Sequence, residues 1–242
     1  MACQKQVKTR IAATLLLALL LPLVSVRAAE SSTPSARELL AQVRLNETAQ
    51  NGNFAGKLKM SNSPQGKIAI PFLLSMRGST ISYQFTNPPE TFILRLEEKG
   101  SRLDRVTGSG RTEKIGGAKL DDTVRGTDIS YEDLSLKFLY WSNAVVEKDQ
   151  ETLSSRTCWI VRAVPSSKGE SQYDMVRLWI ESTGGLLQGE CYKGGKLVRR
   201  FKVIGVQSAH DTSGYILKTM RIQRIDEAGK DLSPTYLELE PR

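Results

Sequence analysis

Apolar residues recur along this chain at two periods. Over residues 31–45 they follow a helix, with Leu39, Leu40, Val43 and, less strictly, Leu45 on one face. A hydroxyl residue of Ser31-Ser32-Thr33 can cap that helix, Pro34 suits its first turn, and Asn51-Gly52-Asn53 stops it. After that the period falls to two. Strands are expected over residues 54–60, 67–76, 80–85, 91–96 and 102–106, with Pro71 marking an edge or a bulge in the second. In the third, Ile81, Tyr83 and Phe85 share a face. Gly108-Ser109-Gly110-Arg111 and Gly116-Gly117 then read as loops. Ser130-Tyr131-Glu132-Asp133 is a capping-box variant with Asp in place of Glu or Gln, opening a helix through Leu134, Phe138, Leu139 and Trp141. A second meander follows over residues 157–164, 173–180, 186–192, 197–206, 214–225 and 235–239. Turns as short as Thr183-Gly184-Gly185 and Lys193-Gly194-Gly195-Lys196 make its neighbouring strands antiparallel. The fold class is mainly β with a few helices.

Two strands are apolar on both sides. Over residues 173–180, Val176, Leu178 and Ile180 form one face, and Tyr173, Met175 and Trp179 the other. Residues 68–74 behave in the same way. A sheet with one wet face would alternate instead. Two arrangements satisfy the pattern. One is an ordinary packed core with helices as the second layer. The other is a curved sheet whose concave face lines an apolar cavity, with helices as a lid. In the second arrangement Phe72, Leu74, Tyr83, Phe85, Trp159, Val161 and Trp179 line the cavity, and the helix bearing Phe138 and Trp141 covers it.

The N-terminus changes the compartment. Lys5, Lys8 and Arg10 precede an apolar run from Ile11 to Val24, broken by Thr14 and Pro22. Val26 and Ala28 then fit the small-residue cleavage rule, so residues 1–28 read as a signal peptide and 29–242 as one exported β domain. The run is shorter than the roughly 20 apolar residues of a membrane span. With the four cations of residues 1–28 gone, the formal charge falls from +8 to +4, and no basic run points to nucleic acid.

An oxidising compartment raises a disulfide between Cys158 and Cys191. They fall on strands separated by the 173–180 strand, about 9–10 Å apart, and a disulfide needs Cα atoms within about 7 Å. Free thiols are expected.

Catalytic signals are sparse. His210, the one histidine, stands beside Asp211 in a turn with no partner nucleophile. No Cys/His spacing suits zinc, and no phosphate-loop or dinucleotide fingerprint occurs. No enzyme activity, cofactor or metal is expected.

One stretch carries a resemblance: Gly108-Ser109-Gly110-Arg111, Lys114-Ile115, Asp121-Asp122, Val124, then Gly126-Thr127-Asp128-Ile129-Ser130-Tyr131-Glu132-Asp133-Leu134. It resembles the signature of the outer-membrane lipoprotein-sorting (LolA-like) family, in an uncharacterised branch. The segments from Tyr173 to Ile180, Leu187 to Lys196 and Phe201 to Val203 are similar to it too. Lys193 departs from it, standing where members often carry an acid. The resemblance implies an antiparallel sheet of ten or more strands rolled into an open half-barrel around helices, with a cavity for acyl chains. It implies a periplasmic carrier whose partners are a lipid or an acylated lipoprotein, an inner-membrane transport complex and an outer-membrane acceptor, with the chain a monomer. A non-enzymatic envelope sensor of the same fold, or an enzyme acting on envelope lipids, are the competing readings. The family's regulatory arginine has no counterpart that the motif places.

Overall fold

The computed structural model describes residues 33–63, 66–167, 169–208 and 215–242. The expected signal peptide and His210 lie outside these residues. A helix, α1 (Ala36–Ala49), leads into β1 (Asn51–Ser63), β2 (Gly66–Arg77), β3 (Thr80–Thr86), β4 (Pro89–Leu96), β5 (Ser101–Thr107) and β6 (Thr112–Ile115). Short helical pieces follow: 3₁₀ turns at Gly117–Asp121 and Val124–Gly126, then α2 (Tyr131–Ser135), then a 3₁₀ turn at Lys137–Tyr140. Seven more strands complete the chain: β7 (Asn143–Leu153), β8 (Arg156–Val164), β9 (Met175–Glu181), β10 (Leu186–Lys193), β11 (Lys196–Ser208), β12 (Tyr215–Arg224) and β13 (Thr235–Pro241).

All the strands join one antiparallel sheet in the order β6-β5-β4-β3-β2-β1-β13-β12-β11-β10-β9-β8-β7. The chain therefore steps outward from β1 to one edge, crosses to the other edge, and steps back until β13 pairs with β1. The edges β6 and β7 do not pair, so the sheet is an open half-barrel, the expected architecture. Residues 117–142 carry the chain from edge to edge. Their apolar side chains, Leu120, Val124, Ile129, Leu134, Phe138, Leu139 and Trp141, enter the same core cluster as Leu39, Leu40 and Val43 of α1. Helix and crossing segment thus fill the concave face together. Among the described residues no helix is long and apolar enough to cross a membrane.

Two glycines let the strands carry aromatics on that face. Gly56 faces Phe72 across β1 and β2, and Gly189 faces Phe201 across β10 and β11. The far end of each phenyl ring lies over the glycine, where an added Cβ would come within 2.2 Å and 1.9 Å of it. No side chain fits under either ring.

The local signals mostly hold, with shifts. The first helix is capped by Ser35, not by the preceding hydroxyls, and Ser35 and Glu38 form a full capping box. Leu45 is exposed, because the buried stripe runs through Leu40 and Val43 toward position 47. Ser130 and Asp133 do form the capping box of α2. That helix stops at Ser135 because Leu136 adopts a left-handed conformation (φ 50°), and a separate 3₁₀ turn carries Phe138. Pro71 lies within the sheet but just where β2 outruns β3, whose pairing begins at Phe72 with Phe85. β2 is thus an edge locally, and the missing N–H leaves no pairing unmade.

The two cysteines are free and buried. Cys158 pairs with Glu181 and Cys191 with Val176, the intervening strand β9 lying between them. Cys191 belongs to the concave core, whereas Cys158 belongs to a small cluster with Ile160, Trp179 and Leu187 on the other face. Opposite faces rule out a bond as firmly as the distance does.

Candidate ligand-binding site

Strand alternation assembles most of the expected lining. Phe72 and Leu74 of β2 pair with Phe85 and Tyr83 of β3, and all four face the concave side. Their rings are close, with Phe72 5.4 Å from Phe85 and 6.1 Å from Tyr83, centroid to centroid. Val161 of β8 is fully buried on the same face, with Trp159 packed partly buried against the cluster. Phe138 and Trp141 sit in the crossing segment, Phe138 stacked 6.2 Å from Phe201.

Trp179 does not belong to this set. It pairs with Ile160 on β8, one position out of phase with Trp159 and Val161, and so points to the convex face. There its Nε1 donates to Glu151 at 3.3 Å. A one-residue offset reverses the face, and a strand apolar on both sides gives no sequence sign of which face is inward.

The concave interior is nearly full. Leu58, Phe72, Tyr83, Phe85 and Leu237 from the sheet meet Val124, Ile129 and Leu134 from the crossing segment around a void of about 10 Å³. That is roughly the room one water needs. The sheet therefore presents an apolar trough, and residues 117–142 plug it.

Polar groups fasten the plug. Asp133 of α2 accepts from Arg199 Nη1 on β11 at 2.7 Å and from the Tyr173 hydroxyl at 2.8 Å. Arg199 also donates to that hydroxyl at 2.7 Å. The pair is almost fully enclosed, with side chains 9% and 11% exposed. Burial works against the Arg199 charge, but Asp133 and Tyr173 outweigh it and hold the guanidinium more firmly protonated than usual. Tyr173 itself precedes β9 and turns inward, against the expected alternation. Asp128 accepts from Arg224 Nε at 2.7 Å and from the Thr235 hydroxyl at 2.9 Å. Buried Glu132 accepts from the backbone of Gln172 at 2.7 Å and from the Ser171 hydroxyl. Burial nevertheless raises its pKa, with Ser171 and Gln172 opposing. The stretch 126–133 is therefore the plug's fastening to β11–β13 and to the chain before β9.

A family model described only as an uncharacterized, "-like" protein matches residues 106–240, more than half of the chain and all of the plug. No curated protein sequence matches. Several solved structures share the fold. An outer membrane lipoprotein-sorting protein domain from Vibrio parahaemolyticus aligns at TM-score 0.65 and 16% identity, over 85% of this chain and 90% of that one. The chain belongs to the family that the matching model describes, and its fold is LolA-like. A LolA superfamily protein from Nitrosomonas europaea matches at TM-score 0.62 and 10% identity, over 86% and 92% of the two chains. A DUF1329 family protein from Desulfovibrio piger matches at 0.64 and 15%, again over 86% and 92%. At these identities the structures speak to the LolA-like fold. Among the described residues no group of His, Cys, Asp and Glu is arranged to hold a metal.

Proposed function

We propose that this chain is a periplasmic carrier, exported by cleavage of residues 1–28, that hides the acyl chains of a lipoprotein or another lipid in the concave trough of its sheet. The observation that carries this reading is the nature of the trough's cover. The apolar face is closed by an irregular segment broken at Arg125 and Leu136, both left-handed, and fastened by separable ion pairs. Such a segment can lift as a lid, which a continuous packed layer cannot. An acyl chain exposed to water costs about 0.8 kcal/mol per CH₂, so hiding it is worth the opening. Transfer needs no covalent step, only a partner that offers a comparable site and shifts the lid equilibrium. An inner-membrane donor complex and an outer-membrane acceptor are the partners this requires.

Titration with a fluorescent fatty acid tests the reading. One saturable site, competed by unlabelled fatty acid and weakened about tenfold or more by Phe85→Ala, is expected. The filled interior favours a second reading, an envelope sensor or interaction domain of the same fold, which binds no lipid. Absence of saturable binding would replace the carrier by that reading.

A further inference from the structure

Beside the plug lies a second, polar cavity. It has a volume of about 380 Å³ and is lined by Pro88, Pro89, Glu90, Arg105, Thr107, Thr123, Arg125, Gly126 and Tyr131. We propose that this cleft is a phosphate-ester site that holds the anionic headgroup of an amphiphile, a proposal that rests on the acyl-chain reading for the trough next to it.

The charges are built in. Glu90 is buried, and two guanidiniums converge on it: Arg105 through Nε, and Arg125 through Nε at 3.0 Å. The lining ionisable groups therefore sum to one positive charge; outside the lining, Glu113 stands opposite Arg105 across β5 and β6 and is paired with Lys119, and Asp122 is exposed. The two arginines play different parts. Arg125 is spent on structure, its Nη1 donating to the Asn87 carbonyl at 2.7 Å and its Nη2 to that of Pro88. Arg105 uses only Nε, and its side chain is 38% exposed. Among the described residues its two Nη groups and the Tyr131 hydroxyl have no hydrogen-bond partner, and Tyr131 lines the cleft with them. A guanidinium already oriented by a buried carboxylate, with its remaining donors free, suits the oxygens of a phosphate ester.

Position supplies the second argument. Thr123 and Arg125 line the cleft, while Val124 between them lines the apolar void. The Arg125 guanidinium lies 4.6 Å over the Phe85 ring, which also lines the void. One turn of chain thus separates a polar cleft from an apolar trough, the two halves an amphiphile needs.

The test compares two probes with one acyl chain: a lysophosphatidic acid and the matching monoacylglycerol, with glycerol phosphate as the headgroup alone. The wild type is expected to bind the phosphate lipid about tenfold tighter than the neutral one, as one charge-assisted Arg–phosphate contact implies. Arg105→Gln should erase that preference while leaving monoacylglycerol affinity unchanged; Glu90 keeps Arg125 as its partner, and an unchanged melting temperature confirms the fold. Arg105→Lys should restore part of the preference. Equal affinities in the wild type would overturn the headgroup site and leave the acyl reading standing. Glycerol phosphate binding as tightly as the lipid would make the ligand a soluble ester and overturn the amphiphile. Failure of all three probes would overturn both readings.

Discussion

Replacing Arg199 by alanine is expected to cost about 3–5 kcal/mol of unfolding free energy. The reason is what remains. Asp133 would keep the Tyr173 hydroxyl and the Ser130 backbone N–H, but as a buried carboxylate without its cation. Removing one member of an enclosed pair leaves the full desolvation penalty of the other. The double variant Arg199→Met with Asp133→Asn removes both charges and should recover a large part of the loss, a coupling that additivity forbids for independent sites. Chemical denaturation of Arg199→Ala and of the double variant measures this. A loss below about 1 kcal/mol for Arg199→Ala would mean the pair is solvated, as surface pairs are, and that the plug is not fastened there.

The second large effect depends on pH. The buried stripe of α1, Leu40 and Val43, is followed one turn on by half-buried Glu47, whose charge acts on Tyr83 of β3. Burial raises its pKa from the usual 4.5 to about 7. The folded protein therefore binds a proton that the unfolded chain has released between those values. Glu47's contribution is fully present below about pH 4.5 and is lost as the pH rises through about 7. The same burial, with the Glu47 charge added, pushes the Tyr83 hydroxyl upward. Relative to wild type, Glu47→Gln is expected to gain up to roughly 3 kcal/mol between pH 5 and pH 8. Paired denaturation curves across that range check it. A difference between the two proteins that stays constant with pH would show Glu47 to be solvated.

Glu47 also shows how far the sequence could be read. The helix was legible from Leu39, Leu40 and Val43, but a carboxylate at the next inward position hid the end of the stripe, and exposed Leu45 took its place. The strand β7 was missed for a related reason. After Ala144-Val145-Val146 it runs through Glu147-Lys148-Asp149-Gln150-Glu151, the charged composition that protects an edge strand and that reads as a loop. β6 is four residues behind a glycine-rich turn, too short for a period to declare itself. Tyr83 and Phe85 were assigned one face because β3 alternates them with Ser82, Gln84 and Thr86, and Trp179 was misplaced because β9 has no polar face to contrast with. The plug's fastening was half visible. Ser130 and Asp133 announced a capping box, yet Arg199 and Arg224 lie 66 and 96 residues from their partners, a pairing that only the topology creates. The cleft at Arg105 left no local sign at all, since Glu90, Arg105 and Arg125 come from three separate elements.

The measurement closest to the central claim is native mass spectrometry of the protein purified from the periplasm without detergent. A carrier with a liftable plug is expected to arrive partly as a complex with a lipid or an acylated protein, and to take up one acyl ligand when incubated with lipid vesicles. A bare chain mass that stays bare after that incubation would contradict the account and leave the concave face as a core and nothing more.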